Sequence, residues 1–252
     1  TILYTKTATL DKLNITTNTD STASIAKSAD IAIGEVVIPR TYTKDGTTYT
    51  ITVLDEYAFS NGYMSSRVDL QKITLPQTIQ TIGKEAFAKT NITSISLPEG
   101  LTKIDYKAFE STYLTKLKFP SSLTSTGGDI AKYCDKLIEV ELPNTFISLG
   151  SKDTEHIGYD FYCCQNLNKI NLPSSLTNIG SATFQMCYAL KTIVIPNSVK
   201  TIGENAFINC SNLTIYCEAA SKPDGWADTW NSSNRPVTWG YTGTSTTSQT
   251  LA

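Results

Sequence analysis

The 252-residue chain reads as an α/β repeat solenoid, a coil of stacked repeats about 23 residues long with one parallel β-sheet and short helical or irregular segments elsewhere. Three observations predict it. Prolines keep a beat: Pro76, Pro98, Pro120 and Pro143 are 22, 22 and 23 residues apart, and Pro173 and Pro196 are 23 apart after a gap of 30. Phenylalanines keep the same beat, with Phe87 and Phe109 separated by 22 residues and Phe161, Phe184 and Phe207 by 23. Each proline also follows a segment that alternates polar and apolar residues, such as Lys72-Ile73-Thr74-Leu75, the pattern of a half-buried strand.

The shared pattern is L-x-x-I-x-(L/I)-P-x-S-(L/V)-x-x-I-G-x-x-x-F-x-x-C, clearest in residues 166–188 and 189–211. Residues 68–90 and 91–112 match with Thr90 and Thr112 in the Cys slot. Residues 113–135 match in length, with Thr126 in place of Ile and Ala131 in place of Phe. Two copies are longer: 31–67, with extra residues after Pro39, and 136–165, with about seven extra after Gly150.

One such copy cannot bury its own apolar face, so the copies must stack. Strands are expected around Val36, Ile73, Ile95, Leu117, Val140, Ile170, Ile193 and Ile215. Eight in parallel, about 4.8 Å apart, make a sheet roughly 35–40 Å long. The proline ends each strand by removing a donor. Gly83, Gly150, Gly180 and Gly203 are expected to take positive φ at a tight corner. The Gly-x-x-x-Phe piece is expected to be helical or 3₁₀. Phe59, Phe87, Phe109, Phe161, Phe184 and Phe207 should point inward and stack coil on coil.

Motifs such as ITLPQTIQTIGKEAF (73–87), INLPSSLTNIGSATF (170–184) and IVIPNSVKTIGENAF (193–207) resemble the BspA-like class of leucine-rich repeats, known from surface proteins of bacteria and some protozoa. The resemblance runs over roughly residues 31–241. It implies a right-handed coil with its sheet on the concave face, a secreted or cell-surface location, and adhesion or protein recognition without catalysis. The expected organisation is an N-terminal cap (1–30), repeats (31–217), a Trp-rich C-terminal cap (218–241) holding Trp226, Trp230 and Trp239, and a polar flexible tail (242–252). The tryptophans read as a lid over the last coil, with an aromatic ligand platform as the alternative. The chain begins at Thr1 without Met, and a signal peptide is expected to have been removed.

Composition excludes several classes. Charged residues are 17 % and the formal net charge is −2, so no general field draws nucleic acid or an anionic membrane. No apolar run approaches the roughly 18–20 residues that span a bilayer. There is one histidine, His156, and no triad, phosphate loop or C-x-x-C pair around which to build an active site or zinc site. No cofactor or metal is expected. His156 sits in the insertion 151–160 with Asp153, Glu155 and Asp160, which reads as a solvated loop or, alternatively, a weak metal site. Cys134, Cys164, Cys187 and Cys210 share one repeat position and read as a ladder of buried free thiols. Cys163 and Cys217 fall outside it, and a Cys210–Cys217 bridge is left open.

Partner-binding candidates fall in two groups. Lys72, Lys116, Lys118, Glu139, Glu141, Lys169 and Tyr216 project outward from the expected sheet. Lys116 and Lys118 face Glu139 and Glu141, opposite charges that satisfy one another. Tyr216 is the only aromatic expected there. The second group lies where the repeat breaks: Tyr42 and Tyr49 in 40–50, and His156 and Tyr159 in 151–159. The expected partner is a protein or surface glycan of a host or neighbouring cell, with no nucleic acid and no membrane insertion. The alternative is a structural spacer of a larger surface protein, with no ligand of its own.

Overall fold

The computed structural model describes residues 7–8, 13–28, 34–62, 66–150 and 158–243. Among these are eighteen strands and no helix. The first six are β1 (Thr7–Ala8), β2 (Ile15–Thr17), β3 (Thr22–Ile25), β4 (Gly34–Val37), β5 (Thr41–Lys44) and β6 (Thr47–Leu54). Then come β7 (Leu70–Thr74), β8 (Thr81–Ile82), β9 (Lys103–Ile104), β10 (Lys116–Lys118), β11 (Glu139–Glu141) and β12 (Ser148–Leu149). The last are β13 (Lys169–Asn171), β14 (Asn178–Ile179), β15 (Thr192–Ile195), β16 (Thr201–Ile202), β17 (Thr214–Cys217) and β18 (Val237–Trp239).

Parallel pairing of equivalent strands is the leucine-rich repeat arrangement, but the expected eight-strand sheet is three separate ladders: β1-β4-β7, β10-β11-β13 and β15-β17-β18. The first break falls at the expected strand around Ile95, which forms no strand and whose centre is only half-buried. Its outward residues are Ser94 and Ser96, too short to give the cross-strand packing that holds a ladder. A strand not foreseen, β18, arises in the Trp-rich segment and pairs in parallel with β17.

The Thr-Ile step of the repeat forms further parallel ladders. β12-β14-β16 is one, and β8 and β9 extend β6 in the other. The glycine that follows was expected at a positive-φ corner. Only Gly150 of the four takes positive φ, 84°. The others are needed for closeness: a Cβ on Gly83 would lie 2.7 Å from the backbone of Asp55 and Glu56 in the preceding coil, and one on Gly203 would lie 2.4 Å from the Ser181 nitrogen.

The Gly-x-x-x-Phe piece is a turn rather than a helix, and its hydrogen bonds say why. Ala86, Ala88 and Thr90 donate N–H three residues back, to Gly83, Glu85 and Phe87. The intervening Glu85, Phe87 and Lys89 donate instead to Tyr106, Ala108 and Glu110 of the next coil, at 2.9, 2.9 and 2.8 Å. An α-helix needs every N–H for its own i−4 carbonyl, so this alternation excludes one. Two residues per coil turn left-handed to achieve it, for example Glu85 and Lys89 (φ 51° and 57°) or Lys107 and Ser111 (both 57°).

Inside this turn the Phe rings are buried and stacked. Phe59–Phe87, Phe87–Phe109, Phe161–Phe184 and Phe184–Phe207 have centroids 5.5, 5.6, 5.8 and 5.5 Å apart. Ala131 interrupts the stack. Phe207 ends edge-on to Trp230 at 6.0 Å. Trp226 and Trp230 are buried, their rings 4.8 Å apart, with Trp239 5.8 Å from Trp226.

All six cysteines are free. The thiols of Cys134, Cys164, Cys187 and Cys210 donate to the carbonyls of Phe109, Ala131, Phe161 and Phe184, the Phe position of the coil before. Thr90, in the same slot, donates instead to the Phe87 carbonyl of its own turn at 2.8 Å, so what Thr and Cys share there is small size and a single donor. Burial pushes the Cys134 thiol up to about 11 and Cys210 up to about 12, so they stay neutral.

Candidate interaction surfaces

On the ladder β10-β11-β13 the charges register across strands. Glu139 stands between Lys116 on one side and Lys169 on the other, and Glu141 between Lys118 and Asn171. Lys116 lies 3.4 Å from Glu139 and also pairs with Glu141, Lys118 lies 3.7 Å from Glu141, and Lys169 lies 2.5 Å from Glu139. The bond from Lys169 holds the Glu139 carboxyl below its ordinary range, and the bond to Glu141 raises the Lys116 ammonium. Lys72 pairs with Glu35 at 2.7 Å. The lysines are exposed and the carboxylates partly so, and such pairs are individually worth little. Tyr216, expected to be the only aromatic there, meets Tyr241 at 4.8 Å, with the planes tilted by 49°.

The 40–50 insertion is a β-hairpin rather than a loop. β5 and β6 pair antiparallel with Tyr42 opposite Tyr49, joined through Asp45-Gly46 at φ 50° and 76°. Two positive-φ residues of the Asp-Gly type are what a type I′ turn requires. Both tyrosines pack partly buried against the core.

Of the second insertion, His156, Asp153 and Glu155 lie outside the described residues. Asp160 is fully buried, turned away from any solvated loop. It accepts the N–H of Gly150 at 2.5 Å and of Ile130 at 3.3 Å. Burial pushes its carboxyl up to about 7, those bonds pulling the other way and Asp129 adding slightly to the rise. With both oxygens engaged by backbone, it is no metal ligand. Among the described residues no group of three His, Cys, Asp or Glu is placed to hold a metal ion.

Tyr159 is where the chain brings functional groups together. Its ring meets Tyr162 edge-on at 5.5 Å, and Tyr162 meets Tyr133 edge-on at 5.3 Å. The Lys132 ammonium lies 4.6 Å from the Tyr159 ring centroid, 5.4 Å from Tyr162 and 5.5 Å from Tyr133, and 3.2 Å from the Asp129 carboxylate. The Tyr106 hydroxyl also donates to Asp129, at 3.3 Å. Tyr133 is 45 % exposed. The turn ladder builds this patch: Asp129, Ala131 and Tyr133 donate to the carbonyls of Gly158, Asp160 and Tyr162. Sequence reasoning missed Tyr133, Tyr162 and Lys132. The signal was there, since Lys132 and Tyr162 each stand two residues before a ladder cysteine.

A groove of about 510 Å³ crosses the strand entrances from Thr93 to Ala189. Tyr113 and the 46 % exposed Ile138 line it, with Thr115, Lys136, Asn166 and Asn168. The Arg67 guanidinium sits 4.0 Å over the Tyr113 ring and donates to the carbonyls of Thr90 and Ser111.

Among solved structures the chain is similar to a leucine-rich repeat protein of T. pallidum, 24 % identical, with 83 % of this chain and 81 % of that one covered and a TM-score of 0.50. A leucine-rich repeat protein of Bacteroides ovatus is 20 % identical over 92 % and 71 %, TM-score 0.55. The pneumococcal vaccine antigen PcpA is 19 % identical over 81 % and 62 %, TM-score 0.58. No curated protein matches the sequence. The family model for the BspA type leucine rich repeat region matches six copies over residues 52–153 and 151–217. With stacked parallel strands, repeating glycines and a matched span of more than half its length, the chain belongs to the BspA-type leucine-rich repeat family.

Proposed function

We propose that this chain is a non-enzymatic recognition module of a secreted or cell-surface protein, and that it holds a protein partner through the patch of Tyr133, Tyr159, Tyr162 and Lys132. The patch carries the reading: partly exposed tyrosines around one lysine concentrate residues of the kind that anchor protein interfaces. The patch borders the second insertion, where the repeat rule breaks. Family membership supports recognition over catalysis, and the surface location rests on analogy with the family. Among the described residues no helix is long and apolar enough to cross a membrane.

The coil in this reading is a capped solenoid. The Trp226–Trp230–Trp239 cluster closes the end beyond Phe207, and β3, which pairs in parallel with β6, closes the other. A second reading, a spacer with no ligand, is favoured by the self-paired charges of β10, β11 and β13. Capture of partners from host-cell surface extract separates the two. A partner retained by the natural protein and lost from Tyr133→Ser/Tyr162→Ser, with the unfolding midpoint preserved, supports the patch. Equal capture by both proteins sinks it, and no capture by either favours the spacer.

A further inference from the structure

The groove at the strand entrances is lined by a different set of residues, and its chemistry is different. Its apolar floor is Ile138, exposed at 46 %, beside the ring of Tyr113. Arg67 braces that ring: the guanidinium stacks 4.0 Å above it while donating 3.1 Å to Thr90 and 2.6 Å to Ser111. The ring is thus held by a neighbour that is itself fixed, as a stacking platform requires.

Three carbonyls that line the groove are already engaged. The Thr115 carbonyl accepts from Ile138 and Glu139, the Ile138 carbonyl from Asn168 and Lys169, and the Thr93 carbonyl from Thr115. Those three carbonyls are therefore closed to an added peptide strand. The polar groups that remain are side chains that both donate and accept. Among the described residues the Asn168 amide, the Thr93 hydroxyl and the Tyr113 hydroxyl have no hydrogen-bond partner, and Asn166 uses only its NH₂, toward the Asp135 carbonyl at 2.6 Å. A hydroxyl donates and accepts as well, so this rim matches a ligand rich in hydroxyls. Charge on the rim is muted. Lys136 is its one cation and is paired with Asp135 at 3.0 Å. The volume lies within the roughly 300–1,000 Å³ typical of ligand sites.

We infer that this groove binds an uncharged oligosaccharide, with a sugar face laid on Tyr113 and Ile138 and its hydroxyls bonded to Asn166, Asn168 and Thr93. The site serves a glycan of a cell surface and is independent of the tyrosine patch.

Calorimetric titration of the natural protein with chitotetraose and with cellotetraose tests this. At least one should bind saturably, with an affinity weakened about tenfold or more by Asn168→Ala and by Tyr113→Ala, a change of about 1.4 kcal/mol, and unmoved by Lys222→Ala. Asn168 is exposed, so its variant keeps the test open even if Tyr113→Ala fails to fold. The inference is overturned if neither sugar binds, if binding survives both substitutions, or if a sulfated tetrasaccharide or an apolar peptide occupies the groove in preference. None of these outcomes decides for or against the tyrosine patch.

Discussion

Each coil has a strand side and a turn side, and the two are held in different ways. On the strand side the backbone ladder breaks into three, at Ser94–Ser96 and again between β13 and β15. On the turn side alternate N–H groups cross to the next coil without a gap, from Tyr57 onto Lys84 through to Asn205 onto Thr229. The ladder even passes the second insertion, where Asp129 donates to Gly158 at 3.2 Å. Left-handed, non-glycine residues recur along the whole turn side, and conformations of that kind persist only when their surroundings over-determine them. The continuous element of this coil is therefore its turn, with Phe rings and thiols stacked beneath and Tyr and Lys displayed above. The sheet, despite its regular sequence, is the interrupted side.

The comparison breaks most visibly at the Phe stack. Phe184 is fully buried between Phe161 and Phe207. Phe184→Ala should cost about 3–5 kcal/mol in denaturant unfolding. A loss under about 1 kcal/mol would mean that the turn side does not carry the coil.

Next in size is Asp160, which ties the turn before the insertion to the turn after it. Its folded pKa lies at about 7, above the ordinary 3.8. The folded state therefore holds the proton more tightly than the unfolded one. Its stabilising contribution is full below about pH 4 and is lost as pH rises through about 7, a decline on the order of 4 kcal/mol. Exposed pairs such as Lys169–Glu139 have lowered carboxyl pKa values and act in the opposite sense. The measurement is therefore the difference between the natural protein and Asp160→Asn across pH 4–8. If that difference is independent of pH, the carboxyl is not the buried tie described.

Much of this was legible in the sequence, and what was not has physical reasons. The period, seven of the eight expected strand centres (all but Ile95) and the inward Phe followed from spacing, because burial recurs once per coil. The opposed charges on β10 and β11 followed from alternation. The helical expectation failed because propensity is a weak prior, and nothing in SATF or ENAF announces that alternate N–H groups will serve a neighbouring coil. Tyr241 beside Tyr216 was hidden because no repeat position predicts it. The tyrosine patch was readable only by aligning turn columns as carefully as strand columns.

Smaller is the effect expected at the glycine where the two sides meet. Gly83 needs no special φ, so a Cβ there is excluded by space alone, 2.7 Å from the Asp55 and Glu56 backbone. Gly83→Ala should cost about 1–3 kcal/mol, as overpacking does. Gly46, whose φ is 76° with nothing within 4 Å of an added Cβ, supplies the control in which conformation rather than contact is disturbed. If Gly83→Ala is neutral, the coils have room to separate and the glycine column marks something other than close approach.

The smallest effect belongs to the strand side. Glu139 sits between Lys116 and Lys169 at the centre of the charged ladder, exposed enough for water and salt to screen both bonds. Glu139→Gln keeps the shape and removes the charge. The unfolding midpoint should move only slightly at low ionic strength and not measurably at high salt. A large loss that persists in high salt would make the charged ladder a structural element in its own right. It would also mean that the strand face, and not the turns alone, holds the coil together.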